Sequence, residues 1–363
     1  MDKVTKFAQK VYANNWALAV VVGCCFIVIT LGLGYYSNLV IPGNPVASAR
    51  YLSEPATHLD FMSEWDGPHY LEIAQHGYVN NSLTAFFPLY PLLIRGVMFI
   101  IPPPIISALI VSWLCLIGAL YFYIKIIKEL LPKDKYADIL GLMIFLFFPT
   151  AVFLVATYTE GLFALLSLSA IYAALKHKYI IAGILAGLST LTHPNGVFIV
   201  ILIALLLWEA RLKIWQILVS LALGGMGILS YMLYLWQTKN KPLDFVRAQK
   251  GNHWLSSHYF STIVNSLTAI DLLLYVLVVL SVIYWWSRRK SFAIYSMLFV
   301  LLPLIGGNFA GYSRYLLMAF PLQLMLLNKF RSSRVLYPVV LVLSTILWAY
   351  FVIHYAAGYT GGS

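Results

Sequence analysis

The sequence predicts an all-α polytopic membrane protein, and three observations support this fold class. The mean hydropathy is +0.83 over the 363 residues. Apolar residues make up 61% of the chain and charged residues only 10%, which leaves too little polar surface to coat a soluble globule. The apolar runs are long and unbroken rather than alternating, so they indicate spanning helices and not the strands of a barrel.

The spans follow from the apolar runs in chain order. The first run, 16–36, follows three lysines and lacks a clear small-residue cleavage site, so we interpret it as a retained signal anchor. The other expected spans, which bring the bundle to about eleven helices, are 105–127, 137–157, 160–176, 179–193, 196–208, 214–236, 265–286, 291–307, 314–328 and 335–355. The whole chain, 1–363, would then form a single transmembrane domain.

Charge predicts the orientation of these spans. With a cytoplasmic N-terminus, alternate crossing places 17 of the 24 lysines and arginines on the cytoplasmic face, as the positive-inside rule expects. The +11 net charge therefore reflects topology, and we exclude nucleic acid as a partner. We expect an integral multi-pass protein, in the plasma membrane if the source is prokaryotic.

The apolar run 85–101 needs separate treatment. If it crossed the membrane, every later basic cluster would lie on the side opposite the N-terminal lysines. Pro88 and Pro91 also interrupt it, so we expect a re-entrant or interfacial helix. The first extracytoplasmic loop then extends over 37–104, and a second large outer loop covers 237–264.

The outer face collects the residues that can do chemistry. Seven of the eight histidines and seven of the 13 acidic residues fall there, which orientation alone does not require. The densest group is "EWDGPHY" at 64–70, just after the first span. Asp66 has two interpretations. It can cap a short helix with Pro68 in its first turn and Gly77 after its end, or it can act as a general base at the membrane surface.

Four other outer segments carry candidates with similar alternatives. Glu160 is either a functional acid or a first-turn residue behind the N-cap Thr159. His193 and Asn195 lie in a tight turn, "THPNG", so they serve the turn or contact a ligand. The loop "DFVRAQKGNHW" is solvated or binds a phosphate and a sugar, and Arg314 opens a span from the outer side, where arginines are scarce. Asp271 is interpreted as a helix-start residue.

The segment "WDGPHYLEIAQHGY" followed by "FFPLYPLL" resembles the signature of the PIG-V family, which adds the second mannose of GPI anchors, and of its prokaryotic relatives. Three further segments are similar in order and spacing: "TEGLFALLSLSAIYAAL…AGILAGLSTLTHPNGV", "DFVRAQKGNHW" and "SRYLLMAFPL". The resemblance covers about residues 58 to 325. It implies a GT-C glycosyltransferase bundle with interfacial helices in the first outer loop, and a polyprenyl-phosphate sugar donor.

The resemblance also implies that a first-loop acid is the catalytic base, which would be Asp66. The leaving group is a phosphate monoester whose charge needs a cation, so Arg314 or Arg247, with His193, would stabilise it. The candidate donor- and substrate-binding residues are Trp65, His69, Tyr70, Glu160, His193, Asn195, Arg247, Gln249, Lys250, Trp254, Arg314 and Tyr315. No cofactor is required chemically, although a divalent metal bridging Asp66 and the phosphate stays open.

The expected function is inverting transfer of a hexose, with mannose as the first candidate, to a glycan, glycolipid or protein acceptor. Another sugar or a protein acceptor within the same enzyme class is an alternative. A polyprenyl-linked lipid transporter or flippase is an alternative of another class, and it would distribute polar residues through the spans toward both faces. A non-catalytic scaffold subunit is a third, and it would tolerate loss of Asp66.

Overall fold

The computed structural model describes residues 11–12, 14–43, 58–134, 136–251, 267–306, 309 and 311–359. Within these ranges the chain forms helices and short 3-10 turns and no β-strand. The helices are α1 (Asn15–Val40), α2 (Gly67–His76), α3 (Leu89–Met98), α4 (Pro104–Leu130), α5 (Ala137–Leu146), α6 (Glu160–Leu175), α7 (Tyr179–Thr190), α8 (Gly196–Glu209), α9 (Ile214–Lys239), α10 (Asp244–Gly251), α11 (Ala269–Trp286), α12 (Lys290–Gly306), α13 (Tyr312–Tyr315), α14 (Phe320–Phe330) and α15 (Leu336–Ala356). The 3-10 turns are Asp60–Met62, Ser82–Ala85, Ala151–Leu154 and Leu316–Met318.

Five of the helices, α1, α4, α9, α11 and α15, are long and apolar enough to cross a membrane. Six more, among them α6, α7 and α8, are apolar but have 10–17 residues. The outward sides of the long helices are apolar, as Leu229 and Ile346 illustrate with exposed fractions of 58% and 59%. An all-helical polytopic membrane protein is therefore confirmed as the fold class, whereas the total of about eleven spans stays a prediction.

The centre of the bundle is built on α4 and α6, whose side chains are largely buried. Helix α7 joins this centre and packs closely against α9. A Cβ atom on Gly183 or Gly227 would collide with backbone atoms of the facing helix. Small residues of this kind let helix backbones approach one another in membrane proteins, where dispersion contacts must hold the helices together.

The ends of the helices form two distinct groups. At one end, ion pairs join α4 to the segments around it through Lys128–Asp138 (3.2 Å) and Lys176–Glu129. Lys128 also donates to Asn15 at the start of α1. The basic clusters that follow α4, α6, α8, α11 and α14 all lie on this side of the bundle. We therefore call it the basic end. The opposite end holds the segments 58–67, 155–159, 191–195 and 311–315, and we call it the site end.

Two expected spans are not continuous helices. The run 137–157 is helical only to Leu146, and buried irregular backbone with one 3-10 turn continues to Thr159. Pro149 explains the break, since proline disfavours helix at the residue before it and cannot donate to the helical ladder. The run 314–328 is likewise divided between α13, a 3-10 turn and α14, with Pro321 in the first turn of α14.

The run 85–101 forms α3, a helix of 10 residues. Its rise of about 15 Å is half the thickness of a bilayer core, so this helix cannot cross by itself. Leu92, Phe99 and Ile100 on and after it are exposed, which is typical of an interfacial or re-entrant segment. The loop that contains it begins later than expected, because α1 continues to Val40. The single-domain organisation stays a prediction.

Candidate active site

Asp66 stands at the N-cap of α2, with Pro68 in the first turn and Gly77 at the C-cap with φ of 79°. Its side chain makes no capping hydrogen bond. Trp65 just before it has a left-handed φ of 56°, a conformation uncommon for a bulky residue. The interpretation of Asp66 as a cap alone is therefore wrong. The backbone turns at Trp65, and the Asp66 carboxylate is directed elsewhere.

The carboxylate of Asp66 accepts a hydrogen bond from Arg314, with 2.7 Å between Nη1 and Oδ2. Arg314 lies 248 positions away in the chain and is 8% exposed. Its Nε also lies 3.2 Å from Oε1 of Glu160, although this contact is not aligned as a hydrogen bond. One guanidinium thus faces two carboxylates at the site end. We call Asp66, Arg314 and Glu160 the charged cluster.

Aromatic rings surround the guanidinium of Arg314. Its central carbon lies 5.2 Å from the ring centroid of Tyr158, 5.2 Å from that of Tyr315 and 5.5 Å from that of Phe153. These rings attract the cation through their quadrupoles and exclude water from it. Inside such a low-dielectric shell, charge interactions are stronger than at an open surface.

Tyr158 also holds the backbone on which Asp66 stands. Its hydroxyl accepts from the Asp66 amide and donates to the Glu64 carbonyl, each at 3.1 Å. Gly67 packs so closely that a Cβ would lie 2.5 Å from the Thr157 hydroxyl and 2.7 Å from that of Ser63. Thr157 and Ser63 hydrogen-bond to each other at 2.9 Å. The irregular segment after α5 therefore positions the first-loop acid.

The Arg314 segment is held in a similar way. The hydroxyl of Thr150 donates to the Ser313 carbonyl at 3.1 Å. Asp271 caps α11 through a reciprocal pair of bonds with Thr268, as expected for a helix-start residue, and it also accepts hydrogen bonds from Ser313. Asp271 thus links the start of α11 to the residue next to Arg314.

A cleft of about 150 Å³ opens beside the charged cluster. Seven of the candidate residues line it: Asp66, Tyr70, His193, Asn195, Gln249, Arg314 and Tyr315. Glu160 lies in a small adjoining pocket that shares His193, Asn195, Arg314 and Tyr315 with the cleft. Trp65, His69, Arg247 and Lys250 do not line it, and Arg247 and Lys250 are exposed on α10. Trp254 lies outside the described residues.

Several residues that line the cleft were not among the site candidates from the sequence. Phe86, Phe87, Thr192 and Tyr312 also line the cleft. Phe86 and Phe87 belong to the "FFPLYPLL" motif, which was noted for the family resemblance alone. Tyr158 lies two residues before Glu160 in "TYTEG", but no periodicity or charge rule marks a tyrosine as a support for a residue 92 positions away.

His193 serves the turn, and its role as a ligand contact stays a prediction. The backbone N–H of Asn195 donates to its Nδ1 at 3.1 Å, so the ring serves the turn, and the proton of the neutral ring is on Nε2. Burial and the positive charge of Arg314 lower the pKa of His193 to about 3. A ring with that pKa is neutral at physiological pH, so His193 can offer a hydrogen bond to a ligand but no positive charge.

Glu64 is a buried acid beside the cluster, and its Oε2 has no hydrogen-bond partner. Burial, with a smaller contribution from Asp60, raises the pKa of Glu64 from 4.5 to about 7. The folded protein therefore keeps this proton to higher pH than the unfolded chain does. Stability should fall as pH rises from 4.5 to 7 and stay lower above it.

Glu64→Gln is expected to remove much of this pH dependence, because the amide cannot ionise. The measurement is the midpoint of thermal unfolding in detergent at pH 5 and pH 8. The variant should lose less stability between the two values than the unmodified protein. Glu72→Gln, on α2, is the control and should keep the original dependence. Equal slopes for Glu64→Gln and the unmodified protein would contradict the assignment.

The fold and the cleft define a class: a helical membrane protein with a buried acid–arginine cluster at one end of its bundle. Residues 43–218 match the model of the family described as Mannosyltransferase (PIG-V). Over this region, which is just under half of the chain, the sequence is similar to PIG-V-type mannosyltransferases, and this match confirms the resemblance noted in the sequence. Asp66, Glu160 and His193 lie within the match, whereas Arg314 lies beyond it.

The curated relatives are also named as mannosyltransferases. A Cricetulus griseus protein named GPI alpha-1,6-mannosyltransferase 2 is 30% identical over 190 residues, which is 47% of this chain and 38% of that protein. The Homo sapiens protein of that name is 30% identical over 144 residues, 37% of this chain and 29% of its own length. A Yarrowia lipolytica GPI mannosyltransferase 2 is 28% identical over 158 residues, 44% of each chain. The chain thus covers less than half of each relative.

Proposed function

We propose that this protein is a glycosyltransferase that moves a hexose, with mannose as the first candidate, from a polyprenyl-phosphate donor to an acceptor hydroxyl. The observation that carries the proposal is the Asp66–Arg314 pair in an open cleft, with Asp66 inside the region matched to the mannosyltransferase family. The reaction needs a base for the acceptor and a cation for the leaving phosphate, and this pair supplies one of each.

Asp66 is the proposed general base. Its carboxylate takes the proton from the acceptor hydroxyl while the acceptor oxygen forms a bond to the anomeric carbon. The bond between that carbon and the phosphate oxygen breaks, and polyprenyl phosphate leaves with the electron pair. Attack opposite the phosphate inverts the anomeric centre. A positioned base of this kind contributes about 10²–10⁴-fold to the rate.

Arg314 is the proposed phosphate ligand. In the structure its Nη1 is engaged by Asp66, which leaves one oxygen of the base occupied. An incoming phosphate competes for the guanidinium, since charge-assisted bonds between arginine and phosphate are strong. Donor binding would then release Asp66 to accept a proton. Glu160, 3.2 Å from Nε, keeps the arginine in place during this exchange.

The lipid chain of the donor would lie in a groove beside the cleft. An apolar groove of about 410 Å³ is lined by residues of α2, α3 and α9, among them Leu89 and Tyr231. Phe86 and Phe87 line the cleft, and Pro88 and Leu89 line the groove, so one stretch of backbone separates the two. The Leu89 amide donates to the Leu191 carbonyl and closes this wall.

The proposed site faces away from the cytoplasm. The basic clusters gather at the end of the bundle opposite the charged cluster, and the positive-inside rule assigns such an end to the cytoplasm. The N-terminus would then be cytoplasmic and the cleft extracytoplasmic. The acceptor is a glycan, a glycolipid or a protein hydroxyl.

Donor profiling with purified protein tests the proposal. The protein in detergent is incubated with polyprenyl-phosphate mannose, polyprenyl-phosphate glucose or a nucleotide-activated mannose, and products are read by mass spectrometry. We expect hexose transfer from a polyprenyl-phosphate sugar and none from the nucleotide sugar. Parallel reactions with a chelator and with added Mg²⁺ test the metal question. Among the described residues, no group of three His, Cys, Asp or Glu side chains could hold a metal ion.

The same experiment separates the alternatives. Transfer in detergent, where no transport can be measured, rules out a transporter as the whole function. Transfer from the glucose donor alone would replace mannose by another sugar within the same class. Absence of transfer from every polyprenyl-phosphate sugar, with folded protein and a pool of natural acceptors present, would overturn the proposal.

A further inference from the structure

A second cleft lies at the basic end, about 1150 Å³ in volume and separate from the charged cluster. It opens between the turn that joins α8 to α9 and the turn that joins α11 to α12. Four cations line it: Arg211, Arg288, Arg289 and Lys290. Glu209 is its one acidic lining residue. This excess of positive charge makes the cleft suited to an anion.

The charge of Glu209 is already satisfied. Its carboxylate accepts from Arg289 Nε at 3.2 Å, from the Ser291 amide at 2.7 Å and from the Ser291 hydroxyl at 2.8 Å. Arg288 bonds to a backbone carbonyl and stacks on Tyr284. Among the described residues, Arg211, Arg288 and Lys290 have no carboxylate within ion-pair distance. Three positive charges of the cleft are thus uncompensated.

Arg211 occupies a position that favours another residue. It lies in the turn after α8 with a left-handed φ of 56°, where the Leu212 amide bonds back to the Leu207 carbonyl. Glycine is the usual residue at such a helix end, since it bears no Cβ penalty. An arginine there costs about 1 kcal/mol of backbone strain. Unlike glycine, arginine at this position adds a positive charge to the lining of the cleft.

Two exposed tryptophans indicate that this cleft lies at the membrane–water interface. Trp208 and Trp286 line the cleft and are 66% and 53% exposed. Exposed tryptophans at helix ends are typical of the membrane–water interface. Ile214 and Ile283, one turn or less from the lining residues, are also exposed and extend an apolar surface toward the bilayer. The cleft therefore faces both the headgroup layer and the acyl chains.

We propose that this cleft binds the phosphate headgroup of an anionic phospholipid, with Arg211, Arg288 and Lys290 on the phosphate and the two tryptophans beside the glycerol and upper acyl chains. Basic pockets between spanning helices bind anionic headgroups by this chemistry. The proposal does not depend on the reaction at the charged cluster, because it uses none of its residues.

Thermal unfolding of the full chain in neutral detergent tests the site. Added dioleoylphosphatidylglycerol should raise the unfolding midpoint in a saturable manner. The same amount of dioleoylphosphatidylcholine should not. Glycerol 3-phosphate at equal concentration should not either, because it lacks the acyl chains. Equal stabilisation by phosphatidylcholine would overturn the anionic selectivity, and equal stabilisation by glycerol 3-phosphate would overturn the assignment to a lipid.

Paired variants locate the effect. The double variant Arg211→Gly/Lys290→Gln should need roughly 10- to 30-fold more phosphatidylglycerol for half of the stabilisation, at about 1 kcal/mol for each cation. Both side chains are exposed, and glycine suits the backbone at 211, so the variant should fold normally. Lys133→Gln/Lys178→Gln removes two exposed charges elsewhere at the basic end and should keep the original half-point. Equal half-points for the two double variants would refute the site.

Discussion

Asp66→Asn is expected to lower hexose transfer by about 10²–10⁴-fold, because an amide cannot accept the proton of the acceptor hydroxyl. Donor binding should be retained, since Arg314 keeps its charge and its contact with Glu160. The variant should fold, because asparagine has the same shape as aspartate and the Tyr158–Asp66 backbone bond does not involve the side chain. The measurement is single-turnover transfer from polyprenyl-phosphate mannose, together with binding of the donor.

The control for this variant is Glu72→Gln. Glu72 is a carboxylate on the same short helix, and it does not line the cleft. Transfer by Glu72→Gln should match that of the unmodified protein. Full activity of Asp66→Asn would remove Asp66 as the base, and loss of donor binding together with activity would assign it to substrate positioning instead.

Arg314→Ala is expected to lower transfer by about 10²–10³-fold and to weaken donor binding, since the leaving phosphate loses its electrostatic partner. The same change leaves Asp66 and Glu160 close together without a compensating cation. Removing one member of a buried ion pair costs about 3–5 kcal/mol, so the fold will also be less stable. Activity and unfolding must therefore be measured on the same preparation.

A second variant keeps this prediction testable. Arg314→Ala/Glu160→Gln removes one of the two negative charges that the missing arginine would leave unpaired, so part of the stability should return. Transfer should not return, because no cation meets the phosphate. Recovery of transfer in the double variant would show that Arg314 has a structural role alone.

Arg247→Ala provides the comparison between the two candidate arginines. Arg247 is exposed on α10 and does not line the cleft. Its removal should reduce transfer far less than removal of Arg314. The reverse order of effects would assign the phosphate contact to Arg247 instead.

Helix positions were largely predictable because hydropathy and charge act locally. The expected span 105–127 corresponds to Pro104–Leu130, and 335–355 corresponds to Leu336–Ala356. Each of these runs is long, apolar and bounded by polar residues, so lipid solubility defines its limits. The expectation for 137–157 was wrong after Leu146, because mean hydropathy does not register the irregular backbone that follows. That backbone is tolerated since it is buried among other helices.

The site was predictable only in part. The excess of acids and histidines over what topology requires identified the site end, and the "WDGPHY" motif identified Asp66. The sequence could not choose between Arg247 and Arg314 as the candidate phosphate ligand, because both are scarce outer arginines far along the chain from Asp66. It also could not show that Tyr158 would hold the Asp66 backbone, since a tyrosine in an apolar segment is normally core.

The sequence by itself determined that this is a helical membrane protein that resembles the PIG-V family, and it predicted that most basic residues lie at one end of the helices. Only the tertiary structure decided that Arg314 meets Asp66 and Glu160, and that His193 is a neutral partner in the same cleft. The reason is physical. Hydropathy and charge sort residues by depth and side of the membrane, whereas pairing across 248 residues depends on how the helices and the irregular segments between them pack.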